Sequence, residues 1–191
     1  IAVSLNSLLY AQVEINELSA SVSTWRLKWD ATGHPSVGQG PAWWLDGFSS
    51  VVPWAESAAP FGWGSQRVET NLQATMQSVT PSLYLRREFV VSQEVLEGSG
   101  ELNLELDYDD GVIVWINGIE IVRRNMGPPQ MHVYRDQLAM NPSSAGEPES
   151  LNLGIASELL EAGTNLIAVQ VGNYSLDSNL FFDAALTDSA I

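Results

Sequence analysis

Leucine alternates with polar residues through Leu102, Asn103, Leu104, Glu105, Leu106 and Asp107. A period of two describes a strand with one buried and one wet face. Tyr108-Asp109-Asp110-Gly111 breaks the run. Glycine accepts positive φ and aspartate bonds nearby backbone N–H groups, so this is a turn. Val112 to Ile116 is continuously apolar, β-branched and aromatic, which predicts a strand covered on both faces. Asn117-Gly118 follows, then Ile119 to Val122 resumes the apolar pattern. Asn-Gly between apolar runs signals a hairpin, because a two-residue type I′ turn needs positive φ twice. Glu101 to Arg124 therefore predicts three strands and two tight turns, with Asp107, Asp109 and Asp110 at one end of a sheet.

The same reading predicts strands at Trp25 to Trp29, Tyr84 to Val91, Leu166 to Val171 and Leu180 to Leu186, with another near Met131 to Tyr134. Gln12 to Ser21 reads as a lead-in strand and polar link. Asp30 to Ser65 and Asn125 to Glu149 read as irregular. Ser157 to Ala162 predicts one helical turn, with Ser157 as N-cap and Gly163 just past the end. Long stretches of 3.6-residue periodicity are absent, so the pattern is that of an all-β antiparallel sandwich.

Composition narrows the partners. The 191 residues are 45% hydrophobic and 16% charged, enough for one packed domain. The net charge is −15, from 23 acidic and 8 basic residues. Lys28 is the sole lysine. Without a basic stripe, nucleic acid and anionic membranes are disfavoured, while cations, neutral glycans and basic partners stay open. No run reaches the about 20 apolar residues of a membrane-spanning helix. There is no cysteine, which excludes disulfides and thiolate metal sites. His34 reads as a loop residue and His132 as an alternating strand residue. Ile1 to Ala11 is short, apolar and ends on alanine, the form of a secretory signal remnant. An ordinary first strand or short helix is the alternative. The signal reading implies an exported or surface protein.

A series of motifs runs in order along the chain: Pro60-Phe61-Gly62-Trp63-Gly64, Tyr84-Leu85-Arg86-Arg87-Glu88-Phe89, Asp109-Asp110-Gly111, Ile116-Asn117-Gly118, Ala162-Gly163-Thr164-Asn165-Leu166 and Phe182-Asp183. It resembles the jelly-roll, galactose-binding-like domains of large exported proteins of planctomycetes, verrucomicrobia and related bacteria. It is similar, more distantly, to the sugar-binding β-sandwich of family-two glycoside hydrolases. The resemblance spans Trp25 to Thr187. It implies residues 25–187 as one sandwich, which divides the rest into the possible signal remnant of residues 1–11, an entry segment at 12–24 and the start of a linker at 188–191. It also implies a monomeric accessory module of a longer chain that binds a glycan.

Three sets of residues carry candidate chemistry. Asp109 and Asp110 offer the hard oxygens calcium takes, and they are similar to the adjacent aspartates of flocculin-type lectins. The alternative is a plain turn in which Asp109 caps backbone N–H groups, with Asp107 a flanking, solvent-facing strand residue. Trp43, Trp44, Trp54 and Trp63 lie outside the predicted strands and are the candidates to stack on a sugar's C–H face. Trp25, Trp29 and Trp115 sit on strand patterns and read as core. Arg86 and Arg87 point to opposite faces of one strand, the inward one suited to a buried carboxylate such as Asp183 or, alternatively, to donating to a ligand in the sheet's concave face. Gly-x-Ser-x-Gly, Walker and His-Glu-x-x-His motifs are absent. The expected function is non-catalytic binding of a neutral glycan. The alternatives are an adhesive spacer and, behind it, a polysaccharide-degrading enzyme.

Overall fold

The computed structural model describes residues 24–28, 42–45 and 54–190. The lead-in, the signal-like segment, Trp29 and His34 lie outside the described residues. Eleven strands are described: β1 (Thr24–Lys28), β2 (Ala55–Ala58), β3 (Phe61–Trp63), β4 (Thr70–Asn71), β5 (Ser82–Val91), β6 (Ser99–Asp109), β7 (Gly111–Ile116), β8 (Ile119–Arg124), β9 (Glu149–Ile155), β10 (Gly163–Gly172) and β11 (Leu180–Ala190). Three helices of four to six residues are α1 (Gln73–Met76), α2 (Gln93–Gly98) and α3 (Ala156–Leu159). The strands form a six-stranded sheet in the order β2-β1-β5-β10-β7-β8 and a five-stranded sheet in the order β4-β3-β11-β6-β9. All pairings are antiparallel except β3 with β4. This is the all-β sandwich that the alternation predicts.

The core lies between the sheets. Leu102, Leu104 and Leu106 of β6 meet Val112, Val114 and Ile116 of β7, together with Leu83, Leu85 and Phe89 of β5 and Phe182 and Leu186 of β11. That meeting corrects one expectation. β6 and β7 belong to different sheets, so Asp109-Asp110-Gly111 is an arch across the end of the sandwich and not a hairpin. Both strands send their apolar face to the same interior from opposite sides, and a local pattern of apolar run, turn and apolar run is identical for the two cases. The Asn117-Gly118 turn does close a hairpin, at φ 47° and 85°.

Other local readings change. Residues 131–134 form no strand. The section expected to be irregular contains β2 and β3, and β9 arises just past the loop-rich excursion. Ser157 lies inside α3, whose N-cap position is Ile155, without a side-chain cap. Gly163 opens β10 at φ 108°. The serine cap is found instead at α2, where the Ser92 side chain accepts from the N–H of Val95. β11 runs on to Ala190, with Asp188 paired to Leu102, so residues 188–190 continue the sheet rather than begin a linker.

Candidate functional site

Strand alternation gives the six-stranded sheet a second, outer face. Tyr84, Ile113, Trp115 and Ala168 share a buried cluster there with Trp43, Met126, Val133 and Ala139. β10 places Gln170 opposite Ile113 on one side and Tyr84 on the other. Ala168 stands opposite Trp115 and Arg86. Arg86 donates to the carbonyls of Trp43 and Leu45, clamping residues 42–45 onto this face. Arg86 shares the outer face with Tyr84, so the inward member of the arginine pair is Arg87, which shares the alternation of Leu85 and Phe89. Asp183, the carboxylate expected to pair with an inward arginine, alternates with the core residues Phe182 and Ala184 and stands opposite Asp107 on the outer face of the five-stranded sheet. Leu45 packs against the hairpin tip, where a Cβ on Gly118 would sit 2.5 Å from Leu45 Cδ2.

The clamp sorts the tryptophans. Trp43 is fully buried and meets Tyr84 and Trp115 edge-on at 5.0 and 5.4 Å. Its neighbour Trp44 meets the Trp43 ring edge-on at 5.9 Å and stacks on the same Trp115 at 5.3 Å and 17°. Trp54 is half-buried, 6.2 Å from Trp43. Trp63 is in the core between the sheets, 2% exposed. Trp43 and Trp63 therefore present no open ring face to a ligand, which corrects two of the four candidates. Trp115, expected as pure core, is the residue that sequence reasoning missed. Its strand is buried on both faces, and only the docking of Trp44 reveals which face is shared with a cavity.

The cavity has a volume of about 420 Å³. Its floor is Ile113, Trp115 and Gln170, one wall is Trp44, and residues 130–133 form another. A bulge builds that last wall. Glu120 pairs with Trp115 and Val122 with Val114, leaving Ile121 as the extra residue. Without it Glu120 and Arg123 would point to opposite faces. With it both face outward, and Arg123 grips Glu120 through two N–H···O bonds of 2.8 and 2.7 Å. This pairing, with the N–H of Gln130, holds the Glu120 carboxyl below its usual range. Arg123 also donates to the carbonyls of Met126 and Met131, fixing the loop over the sheet.

The carboxylates of the arch sit on the far side of this loop and have other work. Asp110 is 2% exposed. One oxygen accepts from the N–H of Ser143 at 2.6 Å and the other from the N–H of Tyr174 at 2.7 Å. Asp107 is buried, not solvent-facing. It accepts from Arg67 at 2.6 Å and from the N–H of Gly146 at 2.7 Å, with Arg67 lying 4.2 Å above the Phe181 ring. Among the described residues no three histidine or acidic side chains group as a metal site. The calcium expectation at Asp109 and Asp110 thus gains no support from the geometry, and Asp110 is a tie between loops.

Burial, then hydrogen bonding to and repulsion by Asp110, with Asp107 behind, push the Asp109 carboxyl up to about 7. Burial and the Asp107 charge push Asp183 up to about 6. An acid with a raised folded pKa holds a proton in the fold that it releases on unfolding. This contribution is complete below the ordinary carboxylate range and is lost as pH rises through about 6 to 7. Glu120 works in the opposite sense, and its contribution is lost only below the ordinary range. The thermal midpoint should therefore be a few degrees higher near pH 5 than near pH 8, with Asp183→Asn flattening the slope. A midpoint that rises over this interval would contradict the assignment.

The fold is that of an all-β sandwich shared with modules of much longer chains. No protein-family model matches the sequence, and no curated protein matches it. Among solved structures, Bacteroides uniformis β-glucuronidase 2, covalently bound to cyclophellitol-6-carboxylate aziridine, is similar at TM-score 0.52 and 16% identity over 91% of this chain. A crystal structure of Bacteroides uniformis β-glucuronidase has the same TM-score of 0.52. An uncultured Clostridium sp. β-glucuronidase gives 0.49 and 14% identity over 92% of this chain. This chain spans only 17% and 28% of the B. uniformis and Clostridium chains respectively. At such identity the likeness is one of fold.

Proposed function

We propose that the protein is a non-catalytic carbohydrate-binding module that takes a neutral glycan in the cavity on the outer face of the six-stranded sheet. The observation that carries this reading is the cavity wall itself. Trp44 and Trp115 stack beside a floor that holds a neutral carboxamide, Gln170. An indole offers a flat apolar partner for sugar C–H groups, and a carboxamide offers both a donor and an acceptor to polar substituents. Glu120 is neutralised by Arg123, so the described residues that line the cavity leave no uncompensated carboxylate to select an ion. The same pairing argues against catalysis. Glycoside hydrolysis needs two carboxyl groups across the bond, one with a raised pKa. Among the described residues that line the cavity Glu120 is the acidic one, and its pKa is lowered. An accessory role within an exported or surface protein accords with a fold that makes up a minor part of the similar chains.

Affinity electrophoresis through gels of neutral polysaccharides tests the reading. Retardation is expected on at least one, and Trp44→Ala should weaken it roughly tenfold or more, the loss of about 1.4 kcal/mol of stacking. Absence of retardation on every neutral polysaccharide, with and without calcium, would sink the proposal. The alternative of an adhesive spacer draws on a different surface. Tyr134, Leu138 and Met140 of the loop and Tyr174 beyond it are exposed apolar side chains, and the N–H of Ala139 bonds the Asn173 carbonyl between them.

A further inference from the structure

Among the described residues ten large apolar side chains are exposed, and six of them crowd one end of the sandwich. These are Val79, Tyr134, Leu138, Met140, Tyr174 and Leu176. They sit on three loops, residues 77–81, 134–145 and 173–178, which meet where the arch, the start of β5 and the end of β10 come together. Main-chain bonds tie the loops to one another. The N–H of Ala139 donates to the Asn173 carbonyl at 3.0 Å, and the N–H of Ser78 to the Leu176 carbonyl at 2.8 Å. Below them Met126 fills the space over Gly111 and Gly172, where a Cβ would come within 2.7 and 2.4 Å of its sulfur. Alternation turns Ala139 inward and leaves Leu138 and Met140 facing out. The patch is thus held in place before anything meets it, which lowers the ordering cost of association. A contiguous apolar surface on such a scaffold marks an interaction site.

The charges around the patch narrow its occupant. The three loops carry Arg135, Asp136 and Asp177, and Asp110 beneath them rests its charge on two main-chain N–H groups. Arg67, Arg123 and Arg124, at the same end, are each tied to a carboxylate. The tip is therefore net acidic, on a chain whose net charge is −15. A second copy would bring the same acids face to face across a two-fold axis, and an anionic membrane would be repelled. A basic surface is drawn in and oriented by the same field. We propose that this tip is a docking surface for a basic protein partner, one that presents apolar side chains among lysines or arginines. The apolar side chains engage the six on the loops, and the cations meet Asp136 and Asp177. The cavity is lined by other residues, so the tip acts in this way whether or not the cavity takes a glycan.

The test is fluorescence anisotropy with a labelled amphipathic peptide of about 14 leucines and lysines, beside leucine–glutamate and serine–lysine peptides of the same length. The leucine–lysine peptide should bind roughly tenfold or more tightly than either of the others, and Leu138→Ser with Tyr174→Ser should remove that advantage. Ile155→Ser, at an exposed apolar position beside Glu101 at the opposite end, should leave it unchanged. Equal binding of the leucine–lysine and serine–lysine peptides overturns the proposal. So does an advantage that survives the double variant or is lost in Ile155→Ser. Sedimentation equilibrium should show a monomer, and flotation with phosphatidylcholine vesicles should carry none of the protein. A dimer or a vesicle-bound form that the double variant abolishes overturns the proposal, because the occupant is then a second copy or a lipid surface. Should the double variant fail to fold, Met140→Lys, which sets a positive charge in the patch, is judged by the same loss. Failure on any of these counts leaves the glycan reading standing, since retention by polysaccharides tests that reading separately.

Discussion

Replacing Trp43 with alanine should destabilise the protein by about 3–5 kcal/mol, the range for truncating a fully buried tryptophan. Its ring touches Trp44, Trp54, Tyr84 and Trp115, so the loss combines apolar burial with several edge-on aromatic contacts. The segment that carries it is clamped through main-chain carbonyls to Arg86, so the emptied volume has little means of collapsing. For a domain of this size the thermal midpoint should fall by roughly 10 °C. Urea unfolding of Trp43→Ala beside Trp44→Ala is the decisive comparison. The first should be the unstable variant and the second should stay near wild type. The reverse order would mean that residues 42–45 do not lie on the sheet as described.

Asp110→Ala carries the second large effect, a loss of roughly 3 kcal/mol. Each oxygen of this carboxylate accepts a main-chain N–H, from Ser143 and from Tyr174, and hydrogen bonds to a charged group contribute about 1.5–3 kcal/mol. Alanine removes both acceptors and strands two donors. Asparagine keeps one acceptor and presents an N–H₂ to the other donor, so it should fall between alanine and wild type. Hydrogen exchange at the Ser143 and Tyr174 amides should speed up in both variants. A chelator should leave the wild-type midpoint unchanged. A midpoint drop on chelation that Asp110→Ala abolishes would instead make the residue a cation ligand.

Much of the sandwich is legible in the chain because each strand carries its face in its own alternation. Leu102, Leu104 and Leu106 declare an interior without reference to anything distant. What the alternation cannot declare is which interior strand comes next to which. The arch at Asp109-Asp110 and the hairpin at Asn117-Gly118 look alike locally, and only the second has a turn type that demands its residues. The resemblance to family-two glycoside hydrolases is matched by β-glucuronidase structures of the same fold, while the planctomycete and verrucomicrobial half of it has no counterpart among those similar structures.

The site was less legible. Adjacent tryptophans diverge in extended chain, but residues 42–45 turn and set both rings against Trp115. Which of the pair faces out depends on Arg86, and that contact is made across 41 to 43 positions of sequence. Trp115 and Gln170 gave no sign, because a residue beneath a docked segment has the same neighbours in sequence as one in the core. The aspartates misled in the other direction. Acid clusters suggest ions, but main-chain N–H groups satisfy a buried carboxylate equally well, and no pattern in sequence announces which loops will supply them.

The loop over the cavity is held in an uneven way. Beside the buried Met126, Val133 and Ala139 and the Asn125 side chain, its anchors include side chains of the strands and arch, Asp107, Asp110, Glu120 and Arg123. What they hold in the loop are main-chain atoms: the N–H groups of Gln130, Ser143 and Gly146 and the carbonyls of Met126 and Met131. Main-chain atoms are the same whatever residue carries them. The exposed positions of the loop are thus free to be rewritten without altering its path, and a lineage, or a laboratory, could retune what the cavity prefers while leaving the sandwich that presents it untouched.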